Sequence, residues 1–349
     1  MKKQILAGVL SATMVVGMGG VSVFAADDAD DKTYNIGIWQ LVQHEALDAA
    51  TQGFKDAITE ELGDKVTFDE QNAQGDSNTC STIITDFVSD NVDLILANAT
   101  PALQAAAAGT ADIPILGTSV TEYGVALDLD DFDGTVGNNI SGTSDLAPLE
   151  DQAAMLNELF PDAKNVGLVY CSAEANSQYQ VDTVKAALEK LGYTCEYYAF
   201  SDSNDLSSVA TTAATESDVI YLPTDNTVAS NTEIINNICL PEKVPVIAGE
   251  EGICEGCGVA TLSISYYDLG VATGKMALKV LIDGEDISKM PIEYAPQFTK
   301  EYNPEICKEL GIEVPDDYVA ISADAEEETS EDDADAADDT AEKTTEEAE

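Results

Sequence analysis

Short runs of wholly apolar residues recur along this chain between amphipathic segments, and this alternation constrains the fold more than any other feature. The run DLILA at 93–97 resembles strands that are covered by helices on both faces of a parallel sheet. The segment 45–62 instead places Leu47, Phe54 and Ile58 at helical spacing. Strands and helices alternate in this way from residue 34 and again from residue 145. The pattern predicts an α/β protein with two doubly wound domains, each with a mainly parallel sheet.

The same periodicities predict where the individual elements begin and end. The predicted strands are 34–39, 66–69, 93–97, 113–116, 165–170, 195–199, 218–222, 244–247 and 292–295. The predicted helices are 45–62, 78–88, 101–108, 145–159, 179–190, 206–214, 227–237 and 267–281.

Small polar side chains follow almost every predicted strand. Thr224, Asp225 and Asn226, for example, lie between the strand 218–222 and a helix. A helix N-terminus offers unpaired N–H groups and the positive end of the helix dipole to a ligand, although a single such turn is equally typical of an N-cap. Parallel strands end at one edge of their sheet, so six such turns in two domains favour a binding cleft. The strand-end residues are Gln40, His44, Asn98, Thr100, Thr118, Ser119, Ser172, Glu174, Asn176, Ser177, Thr224, Asp225, Asn226 and Glu250.

The charge of the chain narrows the class of ligand. The formal net charge is −51, and all 15 basic residues are lysines. So acidic a protein is not expected to bind nucleic acid or an anionic membrane surface. Without arginine there is no guanidinium fork for a phosphate or a dicarboxylate, which favours a ligand whose net charge is near zero.

The two ends of the chain differ from its body. Lys2 and Lys3 precede an apolar stretch that ends in small residues, which predicts a signal peptide at 1–26; a retained membrane anchor is the alternative. No cysteine stands at the cleavage site, so we expect an exported protein, at the cell surface or in the periplasm, without a lipoprotein anchor. Residues 323–349 contain 14 acidic residues and one lysine but no large apolar residue, which predicts a disordered acidic tail at 322–349.

The sequence contains only weak signs of catalysis. His44 is the single histidine, and no serine stands in a Gly-x-Ser-x-Gly turn. Glu250 and Glu251 are a candidate acid/base or metal-binding pair, although adjacent residues on a loop usually point in different directions. Cys254 and Cys257 have the spacing of half a metal knuckle, although buried free thiols or a local disulfide are the simpler interpretations. We therefore predict no enzymatic activity, no cofactor and no metal.

An amino acid suits the polar groups of the predicted cleft. Its ammonium group requires a carboxylate, for which Asp225 is the first candidate and Glu174 or Glu250 the alternatives. Its carboxylate requires donors, which hydroxyl groups and helix N-termini at 118–119, 144 and 177 supply. Trp39 is a candidate cover for an apolar side chain, or else an ordinary core residue.

Long segments of the chain resemble one known family. They are IGIWQLVQHEALDA (36–49), NAQGDSN (72–78), VDLILANATPALQAA (92–106), NNISGTSD (138–145), GLVYCSAEANS (167–177), YLPTDNTVAS (221–230) and GEEGICEGCGVATLSISYYDLGVATGKMA (249–277). They resemble substrate-binding proteins of ABC importers, in particular the tryptophan/tyrosine/phenylalanine-type group, over residues 33–321.

The resemblance implies a type I periplasmic-binding-protein fold, with two Rossmann-like lobes joined by a three-segment hinge. It implies an N-terminal lobe of 33–145 plus about 268–292 and a C-terminal lobe of 146–267 plus about 293–321. An aromatic amino acid would be bound in the interlobe cleft by a monomer, and lobe closure would present it to an ABC permease in the membrane. The implied ligand-binding residues are Gln40, His44, Thr118, Ser119, Ser144, Glu174, Asn176, Ser177, Thr224, Asp225, Asn226 and Glu250.

Three features depart from the family pattern. Glu45 stands where a proline usually follows the histidine, and Glu122-Tyr123 replaces an Asp-Pro pair, which affects the aromatic-side-chain pocket. The lipoprotein cysteine of many cell-surface members is also missing. An extracellular sensor module of the same fold, feeding a receptor, is the alternative function.

Overall fold

The computed structural model describes residues 32–321, so the predicted signal peptide and acidic tail lie outside it. The strands are β1 (Tyr34–Gln40), β2 (Val66–Asn72), β3 (Leu94–Asn98), β4 (Ile115–Val120), β5 (Ile140–Ser144), β6 (Asn165–Cys171), β7 (Thr194–Phe200), β8 (Val219–Leu222), β9 (Val246–Ala248), β10 (Ala260–Ser263), β11 (Glu293–Tyr294), β12 (Thr299–Tyr302) and β13 (Val319–Ala320). The helices are α1 (Glu45–Leu62), α2 (Ser77–Asp90), α3 (Thr100–Gly109), α4 (Tyr123–Ala126), α5 (Leu149–Leu159), α6 (Ala175–Leu191), α7 (Ser203–Glu216), α8 (Asn226–Ala229), α9 (Thr232–Glu242), α10 (Glu251–Cys257), α11 (Tyr266–Leu278) and α12 (Pro304–Leu310). Among these helices, none is both long and apolar enough to cross a bilayer.

The strands form two sheets, as the alternating pattern predicts. The first has the order β11-β5-β4-β3-β1-β2, and all its pairs are parallel. The second has the order β13-β12-β10-β9-β8-β6-β7 and is parallel except between β10 and β12. The predicted architecture of two mainly parallel sheets with helices is confirmed.

The chain passes between the two sheets three times. It leaves the first sheet after β5, returns after β10 through α11, and leaves again between β11 and β12. The last passage lies between Tyr294 of β11 and Thr299 of β12. Three passages make a hinge in which each lobe contains segments from distant parts of the chain.

The core of the first lobe explains why β3 is apolar from Leu94 to Ala97. Ile95 packs with Phe87 on one face of the sheet, whereas Leu94 and Leu96 pack with Phe54 on the other. Successive strand residues point to opposite faces, so a strand between two helical layers must be apolar at every position. Full burial of each such side chain contributes about 1.5–3 kcal/mol to folding.

Helices α1 and α11 pack so closely that glycine is required between them. A Cβ atom on Gly53 would lie 2.1 Å from the carbonyl oxygen of Tyr267, and one on Gly270 would lie 2.0 Å from that of Ala50. This contact holds α11 in the first lobe, immediately after the second passage of the chain.

The boundaries of two predicted helices are wrong for identifiable reasons. The predicted helix 145–159 begins only at Leu149, because Pro148 disfavours helical conformation in the residue before it. The predicted helix 227–237 is two helices, α8 and α9. Between them, Ser230 Oγ and Asn231 Nδ2 donate to the carbonyl groups of Asn226 and Thr227, which competes with helical hydrogen bonding. Strands β5, β10, β12 and β13 and helices α4, α10 and α12 were not predicted.

Candidate functional site

The strand ends of the two lobes meet across a cleft. His44, which follows β1, lies with Nε2 3.2 Å from Oδ1 of Asn226, which follows β8. A cavity of about 660 Å³ lies between the lobes, a size typical of small-molecule sites. Its lining includes Leu41, Val42, Cys80, Pro101, Gln104, Ala105, Ala173, Glu174, Asn226 and Thr227.

Glu174 organises the second-lobe side of this cleft. Its Oε1 accepts hydrogen bonds from the backbone N–H (2.9 Å) and hydroxyl (2.8 Å) of Thr227. Its Oε2 accepts from the backbone N–H (3.1 Å) and side-chain amide (2.6 Å) of Asn226. A carboxylate so fully bonded fixes the first turn of α8 against the start of α6, 52 residues earlier in the chain.

The contact between the lobes depends on this carboxylate. Because Asn226 donates its amide N–H to Glu174, its Oδ1 is left to accept a hydrogen bond from Nε2 of His44. Burial lowers the pKa of His44, although the bond to Asn226 and the charge of Glu174 oppose the change. A neutral imidazole that donates from Nε2 therefore connects the two lobes.

Asn176 lies beside the same carboxylate but retains a free acceptor. Its Nδ2 donates to the carbonyl of Thr224 at 3.0 Å, and Thr224 N–H donates to Gln180 Oε1 at 3.0 Å. The hydroxyl of Ser177 is also within 3.3 Å of Asn176 Nδ2. Oδ1 of Asn176, in contrast, has no hydrogen-bond partner within residues 32–321.

Asp225 is only 1% exposed, and both its oxygens accept backbone hydrogen bonds. Oδ1 caps α8 by accepting from Val228 N–H at 2.9 Å, and Oδ2 accepts from Cys171 N–H at 2.7 Å. Burial, assisted by the charge of Glu174, raises the pKa of Asp225. The carboxyl thus joins the ends of β6 and β8, and its predicted role in holding an ammonium group remains a prediction.

Glu250 caps a helix that the sequence did not predict. It is buried, and its two oxygens accept from the N–H groups of Gly252 (2.8 Å) and Ile253 (2.6 Å) at the start of α10. Burial raises its pKa to about 7, and the charges of Glu45 and Glu251 contribute. These acidic side chains line a smaller cavity of about 220 Å³ near the hinge, beside Tyr266.

Gln40 is positioned by its own lobe rather than turned toward the second. Its Nε2 donates to Val42 O (2.9 Å) and Asp48 Oδ1 (2.6 Å), and its Oε1 accepts from Thr51 Oγ1 (2.9 Å). These bonds hold the first turn of α1, which carries His44 into the cleft.

The hydroxyl groups in the last residues of β4 and β5 have different surroundings. Thr118 Oγ1 accepts from Thr143 Oγ1 at 3.3 Å, and Ser144 Oγ donates to Thr121 O at 2.8 Å. Ser119 has a left-handed φ of 53°, uncommon for a residue other than glycine, and its buried Oγ has no partner in the described part of the chain. Of the three predicted hydroxyls, Ser119 is therefore the one free to bind a ligand.

Within residues 32–321, nine buried side-chain nitrogen or oxygen atoms have no hydrogen-bond partner, and five of them belong to residues at or just after strand ends. These five are Asn98 Oδ1, Thr100 Oγ1, Ser119 Oγ, Asp145 Oδ1 and Asn176 Oδ1; the other four are Trp39 Nε1, Asn236 Oδ1, Thr261 Oγ1 and Glu301 Oε2. An unsatisfied buried polar atom costs about 1–3 kcal/mol, which a ligand or water would recover.

Asp145 is not among the ligand-binding residues predicted from the sequence. The helix predicted from residue 145 begins only at Leu149, and Asp145 instead directly follows β5 and is 4% exposed. The signal that identifies it is a buried, unsatisfied carboxylate oxygen, which only the folded structure reveals. Asn98 and Thr100 were recognised as strand-end residues but not included among the ligand-binding candidates.

Three other candidates from the sequence, Trp39, Cys254 and Cys257, are not among the residues that line the interlobe cavity. Trp39 is a fully buried core residue of the first lobe. All seven cysteines are free and buried, Cys254 and Cys257 among them. Within residues 32–321, no group of three or more histidine, cysteine or acidic side chains is arranged to hold a metal ion.

Known proteins are similar in sequence to this chain over most of its length. A tyrosine-binding protein from Clostridioides difficile is 36% identical over 299 residues, which cover 82% of this chain and 85% of that protein. The structure of an ABC domain in complex with L-Trp from Streptococcus pneumonia is 33% identical, with a TM-score of 0.78 over 82% of this chain and 97% of the other.

A third relative indicates the state of the lobes. The ligand-free, open structure of a substrate binding protein with adhesive properties from Clostridium difficile is 39% identical over 83% of this chain and all of that one, but its TM-score is only 0.63. The higher identity with a lower TM-score fits lobes that are closed in the present structure, as the contact between His44 and Asn226 also indicates.

The type I periplasmic-binding fold is confirmed by more distant structures. A leucine binding protein from Thermotoga maritima, 14% identical, superposes with a TM-score of 0.55 over 80% of this chain and 87% of the other. Residues 35–327 also match the family described as ABC transporter substrate binding protein. Since this match spans most of the chain, the protein belongs to the ABC transporter substrate-binding protein family.

Proposed function

We propose that this protein captures an aromatic amino acid in the interlobe cleft and delivers it to an ABC permease. The observation that carries the proposal is the set of buried polar atoms without protein partners at the strand ends of both lobes. A polar ligand would satisfy such atoms, and a ligand that reaches atoms of both lobes would join the lobes. The named relatives, one tyrosine-binding and one bound to L-Trp, support an aromatic amino acid.

The chemistry of the cleft fits a zwitterion. The negative charge of the buried carboxylates Glu174 and Asp145 attracts an ammonium group to this region without a direct bond to Glu174, and the hydroxyls of Thr100 and Ser119 favour a carboxylate group. The sequence has no arginine for a ligand of net negative charge. The apolar wall formed by Leu41, Val42, Pro101 and Ala105 offers a surface for the side chain.

In this proposal, closure of the two lobes around the ligand allows its delivery to the permease. The hydrogen bond between His44 and Asn226 forms only when the lobes approach, so a ligand that joins the lobes stabilises the form a permease recognises. The protein acts outside the cytoplasm, at the cell surface or in the periplasm, as a monomer that binds without changing its ligand.

A thermal-shift screen tests the proposal. The mature protein is heated with each of the twenty amino acids and with simple sugars, and each hit is confirmed by titration calorimetry. A ligand present at 100 times its Kd adds about 2.7 kcal/mol of stability, roughly 5 °C or more in Tm. Shifts with Trp, Tyr or Phe support the proposal. A shift with a sugar alone would refute amino-acid binding, and a shift with only a non-aromatic amino acid would refute the aromatic preference.

A further inference from the structure

We propose that Asp145 binds the ammonium group of the ligand and thereby selects α-amino acids over the corresponding acids that lack the amino group. The inference rests on the proposed function and assigns the polar anchor within that site.

Asp145 lies at the carboxyl end of β5, close to the hinge between the lobes. It directly follows β5, and its N–H donates to Val120 O at the end of neighbouring β4. Its Oδ2 accepts from the hydroxyl of Tyr266 at 3.1 Å, at the start of α11. Tyr266 lines the cavity near the hinge together with Glu250 of the second lobe. Asp145 therefore lies where the first and second passages of the chain meet, one hydrogen bond away from the cavity near the hinge.

The charge of the Asp145 carboxylate has no balancing cation among the described residues. Asp145 is 4% exposed, and its Oδ1 has no hydrogen-bond partner within residues 32–321. None of the ion pairs formed within that range includes it. Burial raises the pKa of Asp145 to about 6, so it is largely ionised at pH 7 in spite of its surroundings. A buried carboxylate without a cation is costly, and a ligand ammonium group would supply the missing cation.

The other acidic candidates lack this free capacity. Asp225 uses both oxygens for backbone N–H groups, and so does Glu250. Glu174 accepts four hydrogen bonds from Asn226 and Thr227. Their carboxyl groups are engaged in holding helix starts. Oδ1 of Asp145, in contrast, accepts no hydrogen bond within residues 32–321, although the nearby side chain of Thr121 opposes part of the rise in its pKa.

The neighbours of Asp145 suit the rest of a zwitterion. Val120 pairs with Ser144, so Ser119 and Asp145 lie on either side of that pair at adjacent strand ends. Ser119 Oγ and Thr100 Oγ1, both buried, have no partners among the described residues and can donate to a carboxylate. An amino acid has its two charged groups on one carbon, which matches an acceptor and a donor on neighbouring strands.

The direct test compares ligands with and without the amino group. Titration calorimetry measures L-phenylalanine against 3-phenylpropionate, and L-tryptophan and L-tyrosine against their deaminated acids, for the wild type and Asp145→Asn. Loss of one partner from a buried charge pair predicts at least a roughly 30-fold weaker affinity for the amino acid. The affinity for 3-phenylpropionate should stay within about threefold, because that ligand has no ammonium group to lose. Asp225→Asn is measured as well, because Asp225 is the competing candidate for the ammonium group. Asp218→Asn is the matched control, in which the preference for the amino acid should persist; its exposed carboxylate only accepts from the N–H groups of Lys164 and Asn165.

A second measurement uses the wild type and needs no variant to fold. Between pH 5 and pH 7 the charged groups of the amino acids do not titrate, so a change in affinity reports the protein. An ammonium group binds only the ionised Asp145, and a pKa of about 6 predicts about tenfold weaker binding at pH 5 than at pH 7. Close to one proton should be released per ligand at pH 5.

Other titratable groups near Asp145 must be distinguished from it before the pH dependence of ligand affinity is attributed to Asp145. Tyr266 of α11 and Tyr123 of α4 face it, and burial raises the pKa of both far above this range. Glu250 of α10 lies near Tyr266 and has a pKa of about 7, so it also titrates. Only the part of the profile that disappears in Asp145→Asn belongs to Asp145.

The outcomes separate this inference from the proposed function. If the wild type binds an amino acid and Asp145→Asn retains the preference over the deaminated acid, the assignment of Asp145 is refuted and the function stands. Loss of that preference in Asp225→Asn instead would give the role to Asp225. A wild-type affinity that does not change between pH 5 and pH 7 also refutes the assignment. If the wild type binds no amino acid, both proposals fail.

Discussion

Asp225→Ala should destabilise the second lobe through the loss of two backbone contacts. The substitution removes the acceptor for Val228 N–H at the start of α8, and loss of such a cap costs about 1 kcal/mol. It also leaves Cys171 N–H, at the buried end of β6, without its acceptor at 2.7 Å, which costs about 1–3 kcal/mol. Relief of the repulsion from Glu174 offsets part of this loss. We expect the free energy of unfolding to fall by about 2–3 kcal/mol at pH 7.

Asp202→Ala is the matched control, because it removes only a cap. Asp202 is exposed, and its side chain accepts from Asn204 N–H at 2.8 Å at the start of α7. We expect it to cost about 1 kcal/mol. Urea unfolding of both variants is followed by far-UV circular dichroism for the whole fold and by fluorescence of Trp39, the single tryptophan, for the first lobe. If Asp225→Ala costs no more than Asp202→Ala, the buried bond to Cys171 contributes nothing and the argument fails.

Three further predictions concern the hinge, the cleft and pH. His44→Ala removes the hydrogen bond across the cleft and should weaken ligand affinity about 2- to 10-fold by calorimetry; an equal loss in Gln43→Ala would contradict this. Gly270→Ala places a Cβ 2.0 Å from Ala50 O and should cost about 1–3 kcal/mol or more in urea unfolding; an unchanged midpoint would show that α1 and α11 separate freely. Glu250 has a pKa of about 7 when folded and about 4.3 when unfolded. Between these two pKa values the folded state binds more protons than the unfolded state. The stability of the unliganded protein should therefore fall as pH rises from about 4 to 7, and it should fall less in Glu250→Gln. Stability that rises over that range would refute the prediction.

The fold was predictable from sequence because its signals are local. The spacing of Leu47, Phe54 and Ile58 identifies α1 with its observed bounds, and the apolar run at 93–97 identifies β3 within one residue. Errors arose where neighbouring side chains or distant segments decide the structure. Ser230 and Asn231 divide a predicted helix by bonding to the backbone. The short strand β10 is defined by its neighbours β9 and β12 rather than by its own residues.

The site was predictable only as a set of strand ends. The structure shows that the predicted residues Glu174, Asn176, Thr224 and Asn226 form one connected group, and that His44 reaches it from the other lobe. It also shows that Gln40 is bonded within its own lobe. No pattern in the sequence distinguishes a polar group that is satisfied by the protein from one that is free.

Asp145 and Asp225 show which properties of the site could be predicted from the sequence and which depend on the tertiary structure. Each is an aspartate close after a buried strand, and the sequence alone determined that such polar strand ends occur in both lobes of an α/β protein that lacks arginine. Only the tertiary structure decided that Asp225 accepts a hydrogen bond from Cys171, 54 residues away, whereas one oxygen of Asp145 accepts none within residues 32–321. The physical reason is that apolar periodicity is a property of neighbouring residues, but the satisfaction of a buried charge depends on donors that folding brings from elsewhere.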